Sequence, residues 1–234
     1  IGKQIQTWGN TDGNSPVDNL NAYDYYYLFE SGADQKLGTL SMASDIYLGS
    51  WKLGLSISPI HYTNRLPLND PEFPVDLPVS PKASQVIEVE NPFELGGYIG
   101  KSFNRGDITL SYFDGYDRSF SLLGIDTLNI VQLSPKFGYR STSVIGLNIV
   151  TFIKDFTIRA ESAYFKTLND YKANWYNYLD AKADYLQYVL QIEYRMESSK
   201  SIGVQIIGNN VFKAKGNTVD LSTLSMATLT TENF

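Results

Sequence analysis

The stretch from Thr39 to Ser58, TLSMASDIYLGSWKLGLSIS, decides the fold. Gly49-Ser50 is suited to the primed two-residue turn of a tight hairpin. Counting outward from it pairs Leu48 with Trp51, Ile46 with Leu53 and Met42 with Ile57 on one face. The other face pairs Tyr47 with Lys52, Asp45 with Gly54 and Ala43 with Ser56. Side chains alternate faces along a strand, so this hairpin is apolar on one side and small or polar on the other.

Three further hairpins share that parity. A turn at Lys154-Asp155 sets Ile153 against Phe156, Ile149 against Ala160 and Ile145 against Tyr164, with Asn148, Arg159 and Glu161 on the opposite face. A turn between Glu197 and Ser201 sets Leu186, Tyr188, Leu190, Ile192, Tyr194 and Met196 against Ile202, Val204 and Ile206. Its polar side carries Gln187, Gln191, Glu193, Arg195 and Gln205. A weaker hairpin is predicted to turn at Arg105-Gly106, with Phe103, Ile99, Ile108, Leu110 and Tyr112 on its apolar side. Lys101 interrupts that side near the turn, where a long amine can reach water. The predicted strands are 1–8, 39–48, 51–60, 95–104, 107–116, 136–153, 156–165, 185–196, 201–212 and, with weak alternation, 223–234.

The connections at the other end of these strands are of another kind. Residues 60–94 hold Pro67, Pro71, Pro74, Pro78, Pro81 and Pro92, while 9–38, 117–135 and 166–184 are also long. Compact soluble domains seldom carry several structureless loops of this length. Strands of about 10 residues, aromatics among the outward residues, and short turns opposite long loops describe an outer-membrane barrel. The fold expected is therefore all-β, an antiparallel up-and-down transmembrane β-barrel of about ten strands, possible also as part of a larger barrel. The whole chain forms one domain, expected to be truncated. A soluble β-barrel carrying an apolar ligand would turn the greasy face inward instead.

Composition narrows the field. The 234 residues include 17 tyrosines and 12 phenylalanines, which suits strands. There is no cysteine, which excludes disulfide scaffolds and thiol chemistry. A net charge of -6 argues against a nucleic-acid partner. No run approaches the roughly 20 apolar residues of a membrane helix. The chain opens at Ile1 with no initiator methionine, charged n-region or apolar h-region, so a mature protein or a fragment is expected.

Several short matches suggest a family. Gly2-Lys3-Gln4 to Trp8-Gly9, followed by Asn14-Ser15-Pro16-Val17-Asp18, resembles the opening of porin-like Gram-negative outer-membrane barrels. Asp45 to Gly49, Asn64 to Pro67 and Arg159 to Phe165 are similar to the same proteins. Phe234 resembles the terminal aromatic of bacterial barrels, although Glu232 departs from that pattern. The resemblance implies a porin-like or export role in the bacterial outer membrane, with lipid and lipopolysaccharide as neighbours and small solutes as cargo. It names no solute, and most of the family is uncharacterised.

Motifs of catalysis are sparse. His61 is the single histidine and shares a face with Thr63, an arrangement resembling the histidine and hydroxyl of outer-membrane phospholipases, but a strand-end histidine at headgroup level is the expected role. Arg105-Gly106-Asp107 reads as a turn. So does Asn10 to Asn14, which lacks the spacing of a calcium loop. No phosphate loop, zinc motif or cofactor motif is present, so neither an enzyme nor a cofactor is expected. Tyr23 to Tyr27 is the most unusual composition, read as a packed loop or aromatic girdle, or else as a platform for sugars or aromatic solutes.

With the apolar face outward, the expected pore-lining residues are Asp45, Lys52, Asn148, Arg159, Glu161, Gln191, Glu193, Arg195 and Gln205. If residue 165 pairs with 185, Arg159 lies opposite Gln191 and diagonal to Glu193. The acidic mouth is expected in the loops: Asp12, Asp18 and Asp24 in 9–38, and Asp70, Glu72 and Asp76 in 60–94. The first loop holds five carboxylates against one amine, the second six against two cations. Such a mouth favours cations at low salt. The function expected is a passive porin-like channel, or alternatively a structural or adhesive barrel with a plugged lumen.

Overall fold

A computed structural model describes residues 1–27, 35–67, 70, 72, 81–126, 134–171, 176–178, 181–196 and 200–215. Twelve strands run in chain order: β1 Gly2–Gln4, β2 Thr39–Leu48, β3 Trp51–Ser58, β4 Glu94–Phe103, β5 Gly106–Tyr116, β6 Ser121–Asp126, β7 Ser134–Gly138, β8 Ser141–Ile153, β9 Phe156–Leu168, β10 Tyr176–Tyr178, β11 Lys182–Arg195 and β12 Ser201–Lys215. Nine form one sheet in the order β1-β2-β3-β4-β5-β8-β9-β11-β12, every neighbour antiparallel. The fold is all-β. Among the described residues the sheet is open, with β1 and β12 at its edges, and no closed barrel is formed.

The hairpin registers follow the apolar alternation. Leu48 pairs with Trp51, Ile46 with Leu53 and Met42 with Ile57. Ile153 pairs with Phe156 and Ile145 with Tyr164. Phe165 pairs with Tyr185, which sets Arg159 opposite Gln191. Because faces alternate, one correct pair sets the facing of every residue in the two strands.

Four expectations are corrected. The weak hairpin turns at Asn104-Arg105, not Arg105-Gly106, because Phe103 pairs with Gly106. That register keeps Ile99 opposite Leu110 and Lys101 opposite Ile108, so the apolar face is preserved. The strand beginning at Gly2 ends at Gln4, and the chain then leaves the sheet edge. The predicted strand 136–153 is two strands, broken at Tyr139-Arg140. Its first part belongs to a separate sheet, β10-β6-β7, built from what read as the loops 117–135 and 166–184. The predicted strand 223–234 lies outside the described residues.

The two faces of the large sheet differ. Ile46, Leu48, Trp51, Leu55, Ile99, Phe103, Leu110, Ile145, Tyr164, Ile192, Ile202, Val204 and Ile206 stay exposed on one face. The opposite face is covered by residues 5–24. A cluster of Val17, Leu20, Phe113, Val144, Ala163, Phe165, Ala183 and Tyr185, with Trp8 against it, joins that segment to β5, β8, β9 and β11. Glycines in the strands make room for it. A Cβ on Gly146 would lie 2.7 Å from Val17, and one on Gly96 would lie 2.6 Å from Trp8.

Candidate functional site

The face opposite the exposed apolar one carries the residues expected to line a pore, and the N-terminal segment anchors on three of them, Glu161, Gln191 and Gln205. Glu161, 2% exposed, accepts hydrogen bonds from the backbone N–H groups of Asn10 and Thr11 and from the Ser15 hydroxyl. Three donors on one carboxylate compensate for taking its charge out of water. Two residue pairs along the wall, Gln191 exchanges two hydrogen bonds with Asp12: the Asp12 N–H donates at 3.0 Å and the Gln191 amide donates back at 2.6 Å. The Gln205 amide donates to the Asp12 carbonyl at 3.2 Å. Trp8 meets Tyr98 edge-on, centroids 5.4 Å apart. On the wall near the first edge, Gln6 donates to the hydroxyls of Ser41 and Ser56.

The other wall residues remain outside that contact. Asp45 and Lys52 pair at 3.5 Å, both about half exposed, and Tyr98 donates to Asp45 at 2.6 Å. Arg159 donates to Glu193 at 3.1 Å, the diagonal contact expected from the register. Arg195 is exposed near the short-turn end. Asn148 is buried at 6% exposure, its carbonyl oxygen without a hydrogen-bond partner among the described residues.

Among the described residues, the acidic side chains of the loops are placed apart from one another. Asp18 is buried and ion-paired to Lys36. Burial pushes its carboxyl above the ordinary range, with Lys36 acting against that. Asp24 is also buried and paired to Arg65 at 2.8 Å. Both carboxylates are thus charges of the interior, countered locally. Glu72 is exposed, and Asp70 is half-buried, accepting from the Tyr26 hydroxyl at 2.8 Å. Asp76 lies outside the described residues.

Sequence reasoning missed the hub at the long-loop end. One terminal nitrogen of Arg118, Nη1, donates to both Glu94 oxygens at 2.9 and 2.8 Å, and the guanidinium also donates to the carbonyls of Asn19, Leu20 and Tyr62. It therefore ties the N-terminal segment, the proline loop and the start of β4 together. His61 is part of this hub, not a strand-end residue: Nδ1 lies 2.9 Å from Glu94, and the ring packs between Tyr116 and Tyr139. Its Nε2 is buried without a hydrogen-bond partner among the described residues. Nearby, Asp117 accepts from Thr142 at 2.6 Å, while its second oxygen is buried with no hydrogen-bond partner among the described residues. Burial pushes this carboxyl up to about 6.

Between the N-terminal segment and the wall of β9 and β11 lies a cavity of about 550 Å³. Tyr23, Tyr25 and Asn19 line it from one side, Phe165, Tyr185 and Gln187 from the other. Phe165 and Tyr185 stack in parallel, centroids 4.8 Å apart. Among the described residues no group of three or more histidines or acids is placed to hold a metal ion. Comparison with protein-family models, with curated proteins and with solved structures gave no match.

Proposed function

We propose that this chain forms an outer-membrane β-barrel, whole or in part, that acts as a porin-like channel for small solutes, its lumen narrowed by residues 5–24. One observation carries the reading: the large apolar side chains are exposed on one face of the sheet while buried polar groups occupy the other. Water would penalise that arrangement, since soluble monomers rarely leave apolar patches beyond a few hundred Å². Hydrocarbon reverses the sign for the apolar face, and closure of a barrel over the edges of β2 and β12 would satisfy their backbone groups. The short matches at Gly2 to Asp18 and Arg159 to Phe165 support a place in the porin-like family. The proposal puts the chain in the bacterial outer membrane beside lipid and lipopolysaccharide, and assigns it no catalysis.

A structural barrel with a closed lumen is the second reading, favoured by the anchoring of Asn10, Thr11 and Ser15 on Glu161. Planar-bilayer recording separates the two. A channel gives discrete conductance in the native chain, and Glu161→Gln, which replaces half the carboxylate's acceptors by donors facing donors, should raise it by loosening residues 8–15. Silence from both proteins would favour the closed barrel. Heat-modifiable migration on unboiled gels tests the membrane fold itself; its absence, with solubility in plain buffer, would favour a soluble barrel. Because Asp18 and Asp24 are locally countered, cation preference should be slight, measured as small reversal potentials at low salt.

A further inference from the structure

We propose that the cavity between Tyr23, Tyr25 and the β9–β11 wall is a binding site for an uncharged, polyhydroxylated solute, a sugar of one or two rings. The proposal rests on the channel reading and names the class of solute that such a channel would hold.

The lining offers no uncompensated charge. Asp18 is met by Lys36, Asp24 by Arg65, and Arg118 by Glu94. Asp117 has Arg140 and Arg118 nearby. An ionic solute entering here would give up hydration without gaining a free counter-charge. An apolar solute would be no better placed, because several polar groups in the lining have no bond to spend. Tyr23, Tyr25 and Gln187 line the cavity, and their phenol hydroxyls and amide make no side-chain hydrogen bond among the described residues. Burying them under hydrocarbon would leave each unsatisfied.

What these groups can take is a molecule that both donates and accepts at several points. A phenol does both, and so does a primary amide. Burial holds both tyrosine hydroxyls above their ordinary range, so they stay protonated donors at any physiological pH. A sugar ring presents hydroxyls around its rim and C–H groups on its faces, which suits tyrosines with an apolar plate and a polar tip. A cavity of about 550 Å³ is within the range of small-molecule sites and admits one or two such rings.

The test is isothermal titration of the full chain, refolded in an amine-oxide detergent that carries no sugar headgroup. Maltose, sucrose and lactose are the neutral probes; spermidine and glucuronate are the charged ones. Saturable millimolar binding of at least one disaccharide is expected. It should weaken tenfold or more in Tyr25→Ala and at least threefold in Tyr25→Phe and in Gln187→Met, the last two removing single polar groups with little change of shape. Unshifted heat-modifiability would show that the variants fold. Absence of saturable disaccharide binding would overturn the proposal, as would binding indifferent to all three variants, or tighter binding of spermidine or glucuronate. Titration does not need an open path. Binding without conductance would therefore overturn the channel reading alone, and conductance without binding would overturn the site alone.

Discussion

The two faces of the large sheet are made by the same strands and satisfied in opposite ways. One face binds its own chain: Glu161, Gln191 and Gln205 each hold a group of residues 10–15, and Val17 and Leu20 fit where Gly146 and Gly96 leave room. The other face presents Ile145, Leu147, Ile192 and Val204 to whatever surrounds the protein. Alternation along a strand means that neither face can change without a shift of register that would exchange both. A polar interior needs specific partners, supplied one by one. An apolar exterior needs only a solvent that does not reject it.

The comparison is most sharply tested at the hub. Arg118→Ala leaves Glu94, 2% exposed, as a buried carboxylate without its arginine partner, and frees the carbonyls of Asn19 and Leu20. Loss of about 3–5 kcal/mol is expected in denaturant titrations of folding into lipid vesicles. A loss below 1 kcal/mol would mean that the segment is held elsewhere.

Next in size is a charge on the exposed face. Ile149→Lys, near mid-strand, should cost about 2–4 kcal/mol in the same titration if that face meets hydrocarbon. Thr109→Lys is the control on the opposite face, since Thr109 pairs with Asn148; it should cost only about 0.5 kcal/mol. Equal costs would break the assignment of faces.

The smallest effect is a pH slope. Asp117 has its folded carboxyl raised to about 6 from an ordinary 3.8 by burial, so the folded chain binds that proton more readily than the unfolded one. The group therefore costs nothing below pH about 4, and its penalty grows as pH rises to about 6 and stays constant above. Asp117→Asn keeps the acceptor for Thr142 and removes the ionisation. The variant should be the more stable at pH 7.5, by no more than about 3 kcal/mol, with the difference vanishing near pH 4. A difference independent of pH would refute the buried charge.

Much of the sheet was legible because its information is local. Period-two alternation around Gly49-Ser50 and Lys154-Asp155 specifies both register and facing, and the pairing of residue 165 with 185 extends it to the next hairpin. The accessory sheet was not legible, since Ser121 to Asp126 and Ser134 to Gly138 are short, and the second contains Pro135 within a strand. The N-terminal cover was hidden for a different reason. Its anchors are backbone N–H groups and single amides, which leave no pattern in composition. Asp18 and Asp24 looked like surface charges because Lys36 and Arg65 reach them from 18 and 41 residues away. Glu161 and Gln191 were read as wall residues, but nothing in their neighbourhood named Asn10 or Asp12 as partners.

The anchoring of residues 10–15 also orders events in time. Asn10 and Glu161 are separated by 151 positions, and Asp12 and Gln205 by 193. Contacts that span so much chain must pay loop-closure entropy before they return any stability, and they form late. During synthesis residues 10–15 have no wall to bind until β9, β11 and β12 exist. Their polar groups must stay with water or another protein until then. Residues 10–15 are thus made well before the wall that holds them, and find their place late.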